Sequence, residues 1–163
     1  MVLRTDLPLS AASTIVERAL EAGRAAGMAP LTVAVLDAGG HLVALKREDG
    51  SGILRPEIAI GKAWAALGMG LSSRAIGARL QGNPAFQNAL AAASGGRFVT
   101  APGGVLICDG AGQAIGAVGI SGDRSEKDEY CAIEGVRAAG LTPDPAQPDP
   151  AWRDHGAAGV ASR

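Results

Sequence analysis

The sequence predicts an α+β fold, an antiparallel sheet with helices packed on it, and three observations carry that expectation. The elements run in the order helix, hairpin, helices, hairpin, helix, a layer pattern in which ribbons form the sheet and helices cover it. Hydrophobic residues make up 47% of the 163 residues while aromatics reach only 3%, so the core must be built from Ala, Val, Leu and Ile. The chain also holds 24 glycines, which favour close contacts between helix and sheet. A chain of this length buries roughly two-thirds of the surface its unfolded form exposes, so a single core is expected.

The first helix is drawn over about Ser10 to Ala26. Ile15, Val16, Ala19, Leu20 and Gly23 share one face while Glu17, Arg18, Glu21 and Arg24 lie opposite, and Gly27 suits the C-terminal cap. Leu31 to Leu36 is an apolar, β-branched run. Asp37-Ala38-Gly39-Gly40 follows, then His41 to Lys46, and two such runs around a glycine loop read as a hairpin. Helical patterning returns from Arg55 to Gly68, with Pro56 in the first turn. Shorter helices are expected over Ser72 to Leu80 and Pro84 to Ala92. A second hairpin joins Gly104–Cys108 to Ala114–Ile120 through Asp109-Gly110-Ala111-Gly112, and its glycines imply something packed tightly on the strand. The last helix, about Ser125 to Ala139, should start under a cap from Asp123 or Ser125, and Gly140 ends it. The prolines of Thr142 to Pro150 block both helix and ladder, so that stretch should run extended. The expected division is a domain over residues 1–141 and a Pro-rich tail over 142–163.

Formal net charge is -1 and the basic residues are scattered, which argues against a nucleic-acid partner. No apolar run is long enough to span a bilayer, and Met1 to Pro8 lacks the core of a secretory signal, so no membrane partner and a cytoplasmic location are expected. Cys108 and Cys131 are read as reduced thiols, with a disulfide left open.

Five blocks in order carry a family resemblance: Val35-Leu36-Asp37-Ala38-Gly39-Gly40-His41-Leu42-Val43, Arg47-Glu48-Asp49-Gly50, Ala59-Ile60-Gly61-Lys62-Ala63, Pro102-Gly103-Gly104-Val105-Leu106-Ile107, and Gly116 to Gly122 leading to Glu126 and Asp128. Over about Leu9 to Leu141 the chain resembles the GlcG/HbpS family of small haem-binding and accessory proteins. That resemblance implies a profilin-like or PAS-like five-stranded antiparallel sheet with helices on its faces, assembly as a homo-oligomer, and kinship with the C-terminal domain of PduO-type proteins. It also implies haem or a related tetrapyrrole as ligand, in a role accessory to a catabolic pathway. Asp123-Arg124 departs from the family, where Ser121-Gly122 is usually followed by another glycine and a small residue.

Haem binding needs an axial ligand, or an apolar slot with cations for the propionates. His41 is the one histidine inside the matched region and follows the hairpin loop, where a solvent-facing residue is also ordinary; His155 lies in the tail. Met69, Cys108 and Cys131 read more simply as packing residues, and no pair has the spacing of a metal site, so no metal is expected. Lys62 shares its face with Ile58, Ala59, Ala63 and Ala66, so it either snorkels to water or holds an anion at the end of a pocket. Asp37 either sets its loop or serves a ligand. Arg47 and Asp49 end the first hairpin, where one of them can face the pocket. Gly103-Gly104 and Ser121-Gly122 are candidate ligand-binding backbone, the latter because it precedes a helix. Two functions follow. The first is a small-ligand-binding protein for haem or a small anionic molecule. The second is an enzyme on a small hydroxy or keto acid, with Lys62 and Arg47 holding the carboxylate and Asp128 or Asp49 moving the proton.

Overall fold

The computed structural model describes residues 5–154; His155 and the remainder of the tail lie outside the described residues. Five helices and five strands follow in the order α1 (Leu9–Ala25), β1 (Thr32–Asp37), β2 (Leu42–Arg47), α2 (Arg55–Met69), α3 (Ser73–Leu80), α4 (Pro84–Ala93), β3 (Gly104–Cys108), β4 (Ala114–Ser121), α5 (Ser125–Ala138) and β5 (Thr142–Asp144). The strands form one antiparallel sheet in the order β2-β1-β4-β3-β5, so the α+β expectation holds, including five strands.

Alternation along the strands gives the sheet two different faces. Val33, Val35, Val105, Val118 and Ile120 pack under α1 and α5 and make the larger core. On the opposite face Leu36, Leu106 and Ala117 meet Ala63 and Ala66 of α2. The second interface is short-range because its residues have almost no side chain. A Cβ added at Gly119 would run into Ala59 O, and one at Gly104 would run into Lys62 O. The strand glycines are therefore what lets the backbone of α2 lie on β3 and β4.

The two hairpin loops have the same construction. Asp37 Oδ1 accepts from the backbone N–H groups of Gly39 and His41, and Asp109 Oδ1 accepts from those of Ala111 and Gln113, all at 2.9 Å. Asp37 thus sets its turn, as one of its two readings held.

Two local expectations are corrected. The proline-rich stretch does enter a ladder: Thr142–Asp144 pairs with β3, with Pro143 opposite Ile107, a placement open to proline because β5 is an edge strand. The start of α5 has Arg124 as its cap residue and no side-chain cap bond. Its order comes instead from Asp128 Oδ1, which reaches back to accept from Asp123 N at 3.1 Å. No helix of the described residues is long and apolar enough to cross a membrane.

Replacing Gly119 with alanine should destabilise the protein by about 3 kcal/mol or more, because the new methyl meets the α2 backbone rather than a side chain that can move. Gly110→Ala, with nothing within 4 Å of the added carbon, should stay within about 0.5 kcal/mol of the parent. Urea denaturation of both variants checks this, and equal midpoints would contradict the glycine argument.

Candidate functional site

Lys62 leaves the sheet-facing side of α2 and reaches the end of the sheet where β3 begins and β4 finishes. Its Nζ donates to Ile120 O at 2.8 Å and to Asp128 Oδ2 on α5 at 2.9 Å. The two side chains are 2% and 1% exposed. Gly103, at φ +115, edges this passage: a Cβ there would stand 3.1 Å from Lys62 Nζ and 3.0 Å from Asp128 Cβ. Burial pushes the Asp128 carboxyl above its ordinary value, opposed by Lys62, by the Asp123 N–H and by the charge of Arg55. Arg55 also donates to Ser121 Oγ at 3.1 Å, and Ser121 is buried.

The structure therefore brings together Lys62, Asp128, Gly103, Gly104 and Ser121, but not around an open cavity. Lys62 neither snorkels to water nor ends a pocket; the anion it holds is the chain's own Asp128. The backbone N–H after Ser121-Gly122 likewise serves Asp128, and Gly122 is pressed against Pro30 and Leu31, where a Cβ would lie 2.5 Å from Pro30 O. The expected cavity, with Lys62 and Asp128 aimed at a substrate, is corrected on those contacts: both groups are buried and already satisfied. Gly104 has a structural partner too, its N–H donating to Ser73 Oγ at 2.8 Å.

Arg47 and Asp49 stand elsewhere. They border a surface cleft of about 620 Å³ with Leu20, Arg24, Met28 and Lys46, and neither joins the Lys62 cluster. The cleft's cations are engaged: Arg24 with Glu48 at 2.9 Å, Lys46 with Glu17, and Arg47 Nη1 with Ser51 O at 2.6 Å. Cys108 and Cys131 are both free thiols. Cys131 lies 3.5 Å from Met28 Sδ, and burial pushes its pKa up. No group of three or more His, Cys, Asp and Glu among the described residues is placed to hold a metal ion.

The open site is at the tip of the first hairpin. His41 has an 82% exposed side chain, and its Nδ1 lies 3.3 Å from Asp37 Oδ1. Partial burial alone would raise the Asp37 pKa; hydrogen bonds from the backbone of His41 and Gly39, together with the imidazole, outweigh it and hold the carboxyl below its ordinary value. A carboxylate on Nδ1 fixes the ring and leaves Nε2, on its far side, as the outward nitrogen. Beside the tip runs a groove lined by Ala38, Gly39, Gly40, Trp64, Leu67 and Gly68. It shares Trp64 and Gly68 with an adjoining apolar cleft bordered by Met69, Leu90, Ala93 and Phe98. The Arg97 guanidinium covers the Trp64 ring at 4.7 Å from its centroid.

Sequence reasoning missed Trp64, Arg97, Arg55, Arg74 and Glu129. One signal was available for Trp64: it is one of only two tryptophans in a chain poor in aromatics. Glu129 and Arg74 come from helices far apart in sequence, and Oε1 lies 3.1 Å from Nε in the fold.

A central antiparallel sheet between two helical layers, with a glycine-lined strand pair against one helix, places the chain in a known structural class. The crystal structure of a PduOC:haem complex matches with a TM-score of 0.72 at 24% identity, covering 83% of this chain and 96% of that one. HbpS of Streptomyces reticuli, determined as a double mutant, matches with 0.70 at 25% identity, covering 84% and 89%. The Klebsiella pneumoniae protein ORFY matches with 0.75 at 24% identity, covering 86% and 94%. Among curated proteins none matches the chain. The model of the family described as haem-degrading protein HbpS-like matches residues 7–137, and the chain belongs to that family.

Changing Lys62 to Met should destabilise the protein by about 3–5 kcal/mol near pH 7, because Asp128 is then buried without its cation. Without the amine Asp128 holds its proton to higher pH, so the penalty should shrink toward pH 4. Thermal melts at both pH values check this, and a penalty larger at low pH would contradict it.

Proposed function

We propose that this protein binds a haem-type tetrapyrrole at the tip of its first hairpin, where His41 would hold the iron and the groove at Trp64 would take the apolar body of the molecule. The single observation that carries this is the His41–Asp37 contact at a hairpin tip whose adjoining groove, walled by Trp64 and Leu67, continues into an apolar cleft. A carboxylate behind Nδ1 is the usual support of a metal-ligating imidazole, orienting the ring and raising its basicity. The second hairpin supplies the comparison: the same Asp-centred turn forms there with Gln113 in the place of His41. The turn needs the aspartate and two N–H groups, so the imidazole is left for another task.

The residues fit the group. Trp64 and Leu67 offer apolar and aromatic surface, Arg97 offers a cation within reach of that surface for a propionate, and glycines at 39, 40 and 68 keep the groove open to a flat molecule. The larger cleft at Arg47 fits less well, since carboxylates of Glu48 and Asp49 share its lining. Family membership and likeness to a haem-bearing PduOC structure support the same choice of ligand. When bound, haem supplies an iron centre for redox or ligand-exchange chemistry. The chain's part would be to hold that centre through His41, to keep the imidazole oriented through Asp37, and to offer Arg97 to a propionate.

Haemin titrated into the purified protein should give a saturable Soret shift near one equivalent. His41→Ala should abolish the ligation signature, and Asp37→Asn should weaken binding by about tenfold through loss of ring orientation. No shift at stoichiometric haemin, or a His41→Ala spectrum identical to the parent's, would refute the proposal.

A further inference from the structure

Residues 145–152 run over α5 as a strap, and one of its attachments is shared with a buried acid. Glu129 has no exposed surface, and Arg74 of α3 brings Nε to 3.1 Å from its Oε1. The same guanidinium donates through Nη2 to Gln147 O of the strap at 3.0 Å, so one cation serves the acid and its cover together. Further along, Arg137 of α5 donates to Ala146 O. Trp152 stacks on Tyr130 with ring centroids 3.7 Å apart and planes 12° from parallel, which leaves Trp152 9% exposed. The charged groups that act on Glu129 are Arg74 from α3, Asp149 from the strap and Glu126 from its own helix. One cation therefore faces two like charges around a carboxyl that has no exposed surface.

We infer that the strap is a proton-controlled cover, docked over α5 while Glu129 is protonated and released more readily once that acid ionises. A docked strap strips water from Glu129; a lifted strap lets water solvate the carboxylate. Burial accordingly raises the Glu129 pKa from the ordinary 4.5 to about 7, against the pull of Arg74 and of the Asp149 backbone. The docked state binds the proton more tightly than the lifted state. Docking is then strongest below the exposed-acid value, weakens as pH rises from about 4.5 to about 7, and levels off above that. Lifting the strap uncovers Arg74, Glu129 and the Tyr130 face of α5, on the side of the molecule that carries α3, so the local proton concentration sets how much of that surface is available.

Hydrogen exchange of the Trp152 backbone N–H, which donates within the strap to Asp149 O at 3.1 Å behind a ring stacked on Tyr130, reads strap opening through the uncovering of that turn. After correction for intrinsic rates, its protection in the parent should fall by about tenfold or more between about pH 5 and pH 7.5. The Val118 amide of the central strand should remain far better protected at both values, which marks the opening as local. In Glu129→Gln the Trp152 protection should stay constant within about twofold. In Arg74→Gln, which removes the cation opposing protonation, the fall should move to higher pH. A constant protection in the parent would overturn the inference. So would an equal fall in Glu129→Gln, which would assign the titration to another group, His155 included, or a fall at Val118 in step with Trp152.

Discussion

The ion pair between Lys62 and Asp128 is the constraint on which the arrangement of the layers depends. It joins α2, on one face of the sheet, to α5, on the other, through the opening where β3 begins and β4 ends. A buried pair of this kind is weak evidence of net stability, since removing two charges from water costs about as much as their attraction returns. Its contribution is to geometry. The amine has two acceptors, Ile120 O and Asp128 Oδ2, and the carboxylate has Asp123 N on its other oxygen. Any sliding of α2 along the sheet would leave at least one buried charge unsatisfied. Gly103, Gly104 and Gly119 are the complementary condition, because only their missing side chains leave room for the helix and its lysine.

Fixing α2 also fixes what α2 carries at its outer surface. Trp64 and Leu67 leave the same helix two and five residues after Lys62 and form one wall of the groove beside Gly39 and Gly40. The hairpin tip is held by Asp37, whose carboxylate meets two backbone N–H groups and the His41 ring. A closed polar tie in the interior and an open imidazole at the rim are thus parts of one construction. The first sets the helix against the sheet; the second stands where the helix and the hairpin meet. The buried acids of α5 divide their duties in the same way, with Asp128 turned to the lysine and its neighbour Glu129 turned to Arg74 and the strap.

Much of this was legible in the sequence because local physics decides it. Helical periodicity placed α1 and α2, Asp-Ala-Gly-Gly and Asp-Gly-Ala-Gly marked two turns, and the run of strand glycines announced a close approach. Lys62 stood out because its helix face is otherwise Ala and Ile. What the sequence hid depends on contacts between distant residues. Asp128 lies 66 residues from Lys62, so an internal partner for the amine and a bound anion are alike on the page. Thr142–Asp144 carries a proline, which excludes it from a central strand but leaves it free to pair at an edge, and edge or centre is settled only by the order of the other strands. Arg97 reaches Trp64 from a loop with no pattern of its own. Block order alone points Arg47 and Asp49 toward the site, yet strand β2 ends at a different cleft.

A double-mutant cycle on Lys62→Met and Asp128→Leu, read by equilibrium denaturation at pH 7, tests the cross-sheet tie most directly. If each charge is held in place by the other, the double variant should be more stable than the sum of the two single losses predicts by about 2 kcal/mol or more, with apolar side chains taking the place of the pair. Losses that add to within about 0.5 kcal/mol would mean that the two groups stand in the interior independently, and that something other than their contact sets α2 against α5.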